Sequence, residues 1–253
     1  MPLALLALTI SAFAIGTTEF VIVGLVPTIA EQLAISLPSA GLLVSIYALG
    51  VAVGAPVLTA LTGRFPRKQL LVALMVLFTA GNILAWQSPD YSTLVIARLL
   101  TGLAHGVFFS IGSTIATSLV PKEKAASAIA IMFGGLTVAL VTGVPLGTFI
   151  GQHFGWRETF LAVSLLGVIA LVASLLLVPS SIPGRASVSL SDQVKVLTHP
   201  RLLLIYAVTA LGYGGVFTAF TFLAPMMQEL AGFSPGAVSW ILLGYGISVA
   251  IGN

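Results

Sequence analysis

Cysteine is absent from this 253-residue chain, and charge is scarce. Without a thiol there is no disulfide framework, no thiolate metal site and no cysteine nucleophile. Only 7% of the residues are charged, against about 25% in an average soluble domain. The formal charge of +3 is too small and too scattered for a nucleic-acid surface. No metal-ligand cluster, nucleophile constellation or P-loop pattern occurs, so neither an enzyme, a cofactor nor ATP drive is expected. No basic n-region precedes the first apolar block. That block exceeds a signal-peptide core and is expected to remain as a span.

What is abundant is apolar length. Hydrophobic residues make up 58% of the chain, gathered into blocks near the 20 residues that a bilayer demands. Eight such blocks can be drawn, roughly at 3–30, 39–62, 70–87, 93–119, 126–151, 158–178, 202–228 and 237–253. The fold class expected is therefore an all-α membrane protein in a lipid bilayer. Arg64, Arg67 and Lys68 follow block two, Lys122 and Lys124 follow block four, and Arg185, Lys195 and Arg201 lie between blocks six and seven. The opposite loops contribute only Arg157. This asymmetry predicts a cytoplasmic N-terminus.

Residues 180–200 form the longest polar stretch and are read as a cytoplasmic interdomain linker. An ungapped offset of 198 pairs Pro27 with Pro225, Gly16 with Gly214, Glu31 with Glu229, Tyr47 with Tyr245 and Gly54 with Gly252. Block seven thus repeats block one, and block eight repeats block two. The division expected is a six-span half over 1–179, the linker, and the start of a second, incomplete half over 201–253. A completed repeat would give twelve spans in two parallel halves.

Glu19 is the only acid deep in block one. A carboxylate at membrane depth costs about 2.5–3.5 kcal/mol on insertion scales, and such residues are usually functional. Rise arithmetic puts Glu19 roughly 16 Å from the outer end of its span, His105 roughly 18 Å and Arg98 roughly 8 Å. Arg98 and His105 lie two turns apart on one helix face, with Thr101 between them. Arg98 either faces the interior or snorkels to the outer interface. His105 either joins a polar column with Glu19 or is a packing histidine.

Four segments carry a family resemblance. Block one holds Thr17-Thr18-Glu19-Phe20 and then Gly24-Leu25-Val26-Pro27-Thr28-Ile29-Ala30. The loop after block two reads Gly63-Arg64-Phe65-Pro66-Arg67-Lys68. Block four has Arg98-Leu99-Leu100-Thr101-Gly102, and block five has Gly143-Val144-Pro145-Leu146-Gly147 with Gly151. Over its whole length the chain resembles the major facilitator superfamily. Within it, the chain is similar to the twelve-span drug/proton antiporters, especially arabinose-efflux-type bacterial permeases. The basic loop departs from the family pattern at Thr59, Gly63 and Pro66, and reads equally as a plain positive-inside loop.

The resemblance implies the major facilitator fold, with a small-molecule substrate and protons as partners, in a monomer of a bacterial-type inner membrane. It implies proton-coupled efflux of a drug, sugar or related metabolite by alternating access. A symporter or facilitator of the same fold, or a non-transporting sensor, is the alternative. Glu19, Arg98 and His105 would couple protons. Thr18, Thr101, Tyr213, Phe217 and Thr221 would line the cavity. Arg64, Arg67, Lys68, Gly143, Pro145, Gly147 and Gly151 would serve gating and packing, and span eight is the expected neighbour of the glycine face. Phe154-Gly155-Trp156-Arg157 is similar to a family turn, with Trp156 expected at interfacial depth.

Overall fold

A computed structural model describes residues 3–58, 61–62, 65–180, 182, 195 and 198–252. Arg64, Thr59, Gly63 and most of the 180–200 linker lie outside the described residues. Among the described residues, eight helical segments are long and apolar enough to cross a membrane. They run over Leu3–Phe20, Leu37–Leu58, Arg67–Trp86, Tyr91–Ser118, Lys122–Phe154, Trp156–Leu177, Pro200–Thr221 and Pro235–Gly252, and are called spans one to eight. Ile22–Gln32 continues span one after a break at Val21.

Local chemistry sets the ends of these helices. Ser36 caps span two by accepting from the Ser39 amide at 3.2 Å. Asp90 caps span four by accepting from the Thr93 amide at 2.8 Å, one of the amides a helix start leaves unpaired. That bond holds the exposed Asp90 carboxyl below its ordinary value. Span one closes where the Ile35 amide reaches back to the Ala30 carbonyl at 3.0 Å, with Ala34 in the left-handed region at φ 51°. Gly155, at φ 103°, makes the turn between spans five and six, a conformation that suits a residue without Cβ.

Prolines mark the irregular turns. Wide π turns cover Gly54–Leu58, Ala139–Gly143 and Met226–Leu230. Pro56 lies within the first, Pro145 just beyond the second and Pro225 just before the third. Proline cannot donate to the carbonyl four residues back, so each helix must reroute its bonds there. For Pro225 that carbonyl belongs to Thr221, and span seven breaks at Phe222.

Spans one to six pack around two apolar clusters. One includes Leu8, Ile15, Met75, Phe78, Phe108 and Met132. The other includes Ile22, Leu25, Ile29, Leu43, Trp156 and Phe160. Spans two and four approach so closely that a Cβ on Gly50 would lie 2.7 Å from the Leu99 carbonyl oxygen. A smaller cluster of Val23, Val144, Phe220, Ala224, Val238 and Leu242 seats spans seven and eight on spans one and five. Span seven buries only Phe220 and Thr221.

One expectation is corrected, and Trp156 gains a neighbourhood. Trp156 opens span six and is fully buried against the protein. Its ring lies 4.3 Å beneath the Arg157 guanidinium and edge-on to Phe160, while Arg157 donates twice to the Ser88 carbonyl at 3.0 and 2.8 Å. The glycine face of span five does not meet span eight. Gly143 faces Thr17, Gly147 faces Val21 and Thr159, and Gly151 faces Leu25 and Thr159. Its neighbours are therefore spans one and six. Span eight reaches another side of span five, where Gly246 sits against the Leu140 backbone.

Candidate functional site

The site begins at the interruption of span one. The Val21 amide bonds to the Thr17 carbonyl at 3.0 Å, and the next carbonyl, that of Thr18, accepts from Arg98 Nη1 at 2.7 Å. Arg98 Nε donates to the Leu43 carbonyl of span two at 3.3 Å. The guanidinium carbon stands 4.1 Å over the Tyr47 ring. Arg98 is only 1% exposed, so it clamps spans one, two and four together and does not snorkel. Its Nη2 has no hydrogen-bond partner.

Glu19 and His105 meet beside this clamp. Glu19 Oε2 lies 3.7 Å from His105 Nδ1, with side-chain exposures of 20% and 12%. The same nitrogen is 2.9 Å from the Tyr47 hydroxyl, so His105 is not held by a backbone carbonyl through Nδ1. Phe109 packs on the imidazole with ring centroids 4.9 Å apart, and Phe133 of span five packs on Phe109 at 4.8 Å. Next to Glu19, Phe20 approaches Phe217 and Phe220 of span seven, each at 6.2 Å.

Other expected site residues are placed differently. Thr18 is buried and donates to Asn82 of span three at 2.5 Å. Thr101 bonds back to the Ala97 and Arg98 carbonyls, and its methyl points at Gly81 of span three. Neither faces open space, because Thr18 on span one and Thr101 on span four are both turned toward span three. Phe217 and Thr221 line a crevice of about 590 Å³ between spans seven and two. Tyr213 is 63% exposed and packs on Phe217 at 5.3 Å. Pro145 lines an apolar groove of about 760 Å³ between spans five and eight. Arg67 is buried with Nε unpartnered, and Lys68 donates to the Leu175 carbonyl at the end of span six at 2.7 Å.

Sequence reasoning missed Tyr47, Asn82 and Phe109 as members of this constellation. Tyr47 did leave a signal, since it is one of the residues the 198-residue offset repeats, as Tyr245. Among the described residues no group of three His, Cys, Asp or Glu can hold a metal ion.

A bundle with a broken first span, an arginine clamp on span four and a carboxylate at their junction defines a class. The chain belongs to the Major Facilitator Superfamily, whose family model matches residues 8–253. It is similar to the uncharacterized MFS-type transporter YtbD of Bacillus subtilis (strain 168), at 56% identity over 250 residues, 99% of this chain and 63% of that protein. The inner membrane transport protein YdhP of Escherichia coli (strain K12) is 45% identical over 249 residues, 98% of this chain and 64% of that protein. AraJ of the same strain, named as a transporter, is 37% identical over 253 residues, 100% of this chain and 64% of that protein. The chain thus spans somewhat under two thirds of the length of these relatives. The fold matches a bacterial homologue of the human lysosomal transporter Spinster in its inward-facing, unoccupied conformation. That match has a TM-score of 0.75 at 20% identity, over 98% of this chain and 59% of that one.

Proposed function

We propose that the protein is a secondary active transporter that exports a small molecule in exchange for protons by alternating access. The observation that carries this reading is the Glu19 carboxylate 3.7 Å from His105, at the break in span one and beside the buried Arg98. A carboxylate at this depth is costly unless it can be neutralised or paired. Here a proton, the imidazole or a bound substrate can do so. Arg98 keeps its charge and serves as a fixed positive centre. It positions the site and does not carry the proton.

Facing inward, ionised Glu19 would bind substrate or form a polar contact. Protonation from outside would release the substrate and ease the return. Phe20, Tyr213 and Phe217 supply an aromatic wall with one hydroxyl, suited to a drug, a sugar or a related metabolite. The distribution of basic loops supports a cytoplasmic N-terminus in a bacterial-type inner membrane. The repeat supports six spans over 1–179, a linker at 180–200 and a second unit from 201.

The test is proton movement by the purified protein in sealed vesicles, screened across drugs, sugars and nucleosides. Wild type is expected to move protons only when a substrate is present. Glu19→Gln keeps the shape but cannot titrate, and is expected to abolish pH-driven exchange while remaining inserted and folded. Normal pH-dependent exchange by this variant would end the coupling role of Glu19.

A further inference from the structure

Tyr47 is 2% exposed, and neither the transport reading nor the family resemblance gives it a task. Its hydroxyl and the Glu19 carboxylate address one atom, His105 Nδ1, from 2.9 and 3.7 Å. A ring nitrogen offers either one lone pair or one proton, so it cannot serve both partners in the same way. We propose that Tyr47 is a positioning residue that competes with Glu19 for His105 Nδ1, and so decides whether the imidazole can exchange a proton with the carboxylate. The proposal rests on the reading of Glu19 as the coupling acid.

The two competitors differ in freedom. Tyr47 is fixed: the backbones of spans two and four are in contact at Gly50 and Gly102, and Arg98 covers its ring. Glu19 is two residues from the interruption at Val21, and its side chain keeps 20% exposure. At 2.9 Å the Tyr47 hydroxyl is within hydrogen-bond reach of Nδ1, whereas Glu19 at 3.7 Å is outside it. With Tyr47 donating, Nδ1 is bare and the proton of neutral His105 sits on Nε2. Proton transfer from the Glu19 carboxyl to Nδ1 requires the Tyr47 O–H to turn away. The step moves one proton from Oε2 to Nδ1 and converts a neutral pair into an ion pair.

Among the described residues no other titratable group intrudes. Span three carries only Arg67 and Lys68, at its first turn, and Ala125–Gly143 of span five carries no titratable side chain. Around Nδ1 the charged and titratable set is Glu19 from span one, Tyr47 from span two, and Arg98 with His105 itself from span four.

The test uses protein labelled with ¹⁵N at histidine, in nanodiscs, with His105→Asn to assign the signal among the three histidines. Wild type should show Nε2 protonated and Nδ1 bare at neutral pH. Tyr47→Phe keeps the ring beneath Arg98 and removes only the hydroxyl. It is expected to raise the population protonated at Nδ1 about threefold or more, the effect of losing about 0.7 kcal/mol or more of hydrogen bonding. Its exchange should show an altered pH profile with KM retained. An unchanged His105 tautomer in Tyr47→Phe, or a protonated Nδ1 in wild type, overturns the competition whatever Glu19→Gln does to exchange. Normal pH-driven exchange by Glu19→Gln overturns the transport reading on its own, whatever the tautomer shows.

Discussion

At the scale of single residues, one side chain joins three helices. Arg98 satisfies backbone carbonyls of spans one and two and covers a ring of span two. A lysine keeps the charge but lacks the planar fork that allows this. Arg98→Ala should therefore lose more than Arg98→Lys, both in exchange and in thermal stability. The loss for alanine should be about 1.5–3 kcal/mol for each bond to the charged group. Thermal unfolding and vesicle exchange of the two variants, compared side by side, check the order. Equal stability of Arg98→Ala and wild type would show that the clamp holds nothing. Sequence alone left Arg98 open between facing the interior and snorkelling, because depth arithmetic fixes height along a helix and says nothing of rotation about its axis.

Within an element, packing surfaces and helix ends respond to small changes of shape. A Cβ on Gly147 would lie 2.5 Å from Val21 Cγ2 and 3.2 Å from Thr159 Cγ2. Gly147→Leu should push on the broken turn of span one beside Glu19. Overpacking of this kind costs about 1–3 kcal/mol, and Gly147→Ala should cost less. Unfolding midpoints in detergent measure both, and a Leu variant as stable as wild type would contradict the packing described. Ala34 is the opposite case. Its φ of 51° is a left-handed conformation that a Cβ disfavours by about 1–2 kcal/mol. Ala34→Gly is expected to raise stability by a few tenths to about 1 kcal/mol, net of the greater freedom of glycine in the unfolded chain. A lower unfolding midpoint would show that Ala34 is better accommodated than its backbone suggests. The repeating glycines of span five were legible as a close-packing face, since their spacing is written in the chain. Their partner was not legible, and the structure gives spans one and six where span eight was expected.

For the molecule as a whole, spans five and eight meet near the turn that begins span six. Ser239 Oγ donates to Gln152 Oε1 at 3.3 Å there. If the proposed alternating access holds, this contact is expected to open and close as the proposed units rock. The chain has no cysteine of its own, so the double variant Gln152→Cys with Ser239→Cys can be bridged by a short thiol-specific cross-linker without background. Bridging should stop exchange, and a reducible cross-linker should allow recovery on reduction. Full exchange by the bridged protein would mean that this contact does not move during transport.

The sequence by itself determined the features that depend on linear order. Apolar runs near 20 residues set the number of spans, and the offset of 198 related span seven to span one. Glu19 and His105 were placed at one depth by rise per residue alone. Tertiary structure decided everything that depends on rotation and on neighbours. It turned Thr18 and Thr101 toward span three, buried Trp156, sent the glycine face of span five to span one, and brought Tyr47 onto the same nitrogen as Glu19. The physical reason is that in a chain so uniformly apolar nearly every helix face is hydrophobic. Amphipathic pattern then cannot tell lipid from protein, and close packing of side chains chooses which face meets which helix.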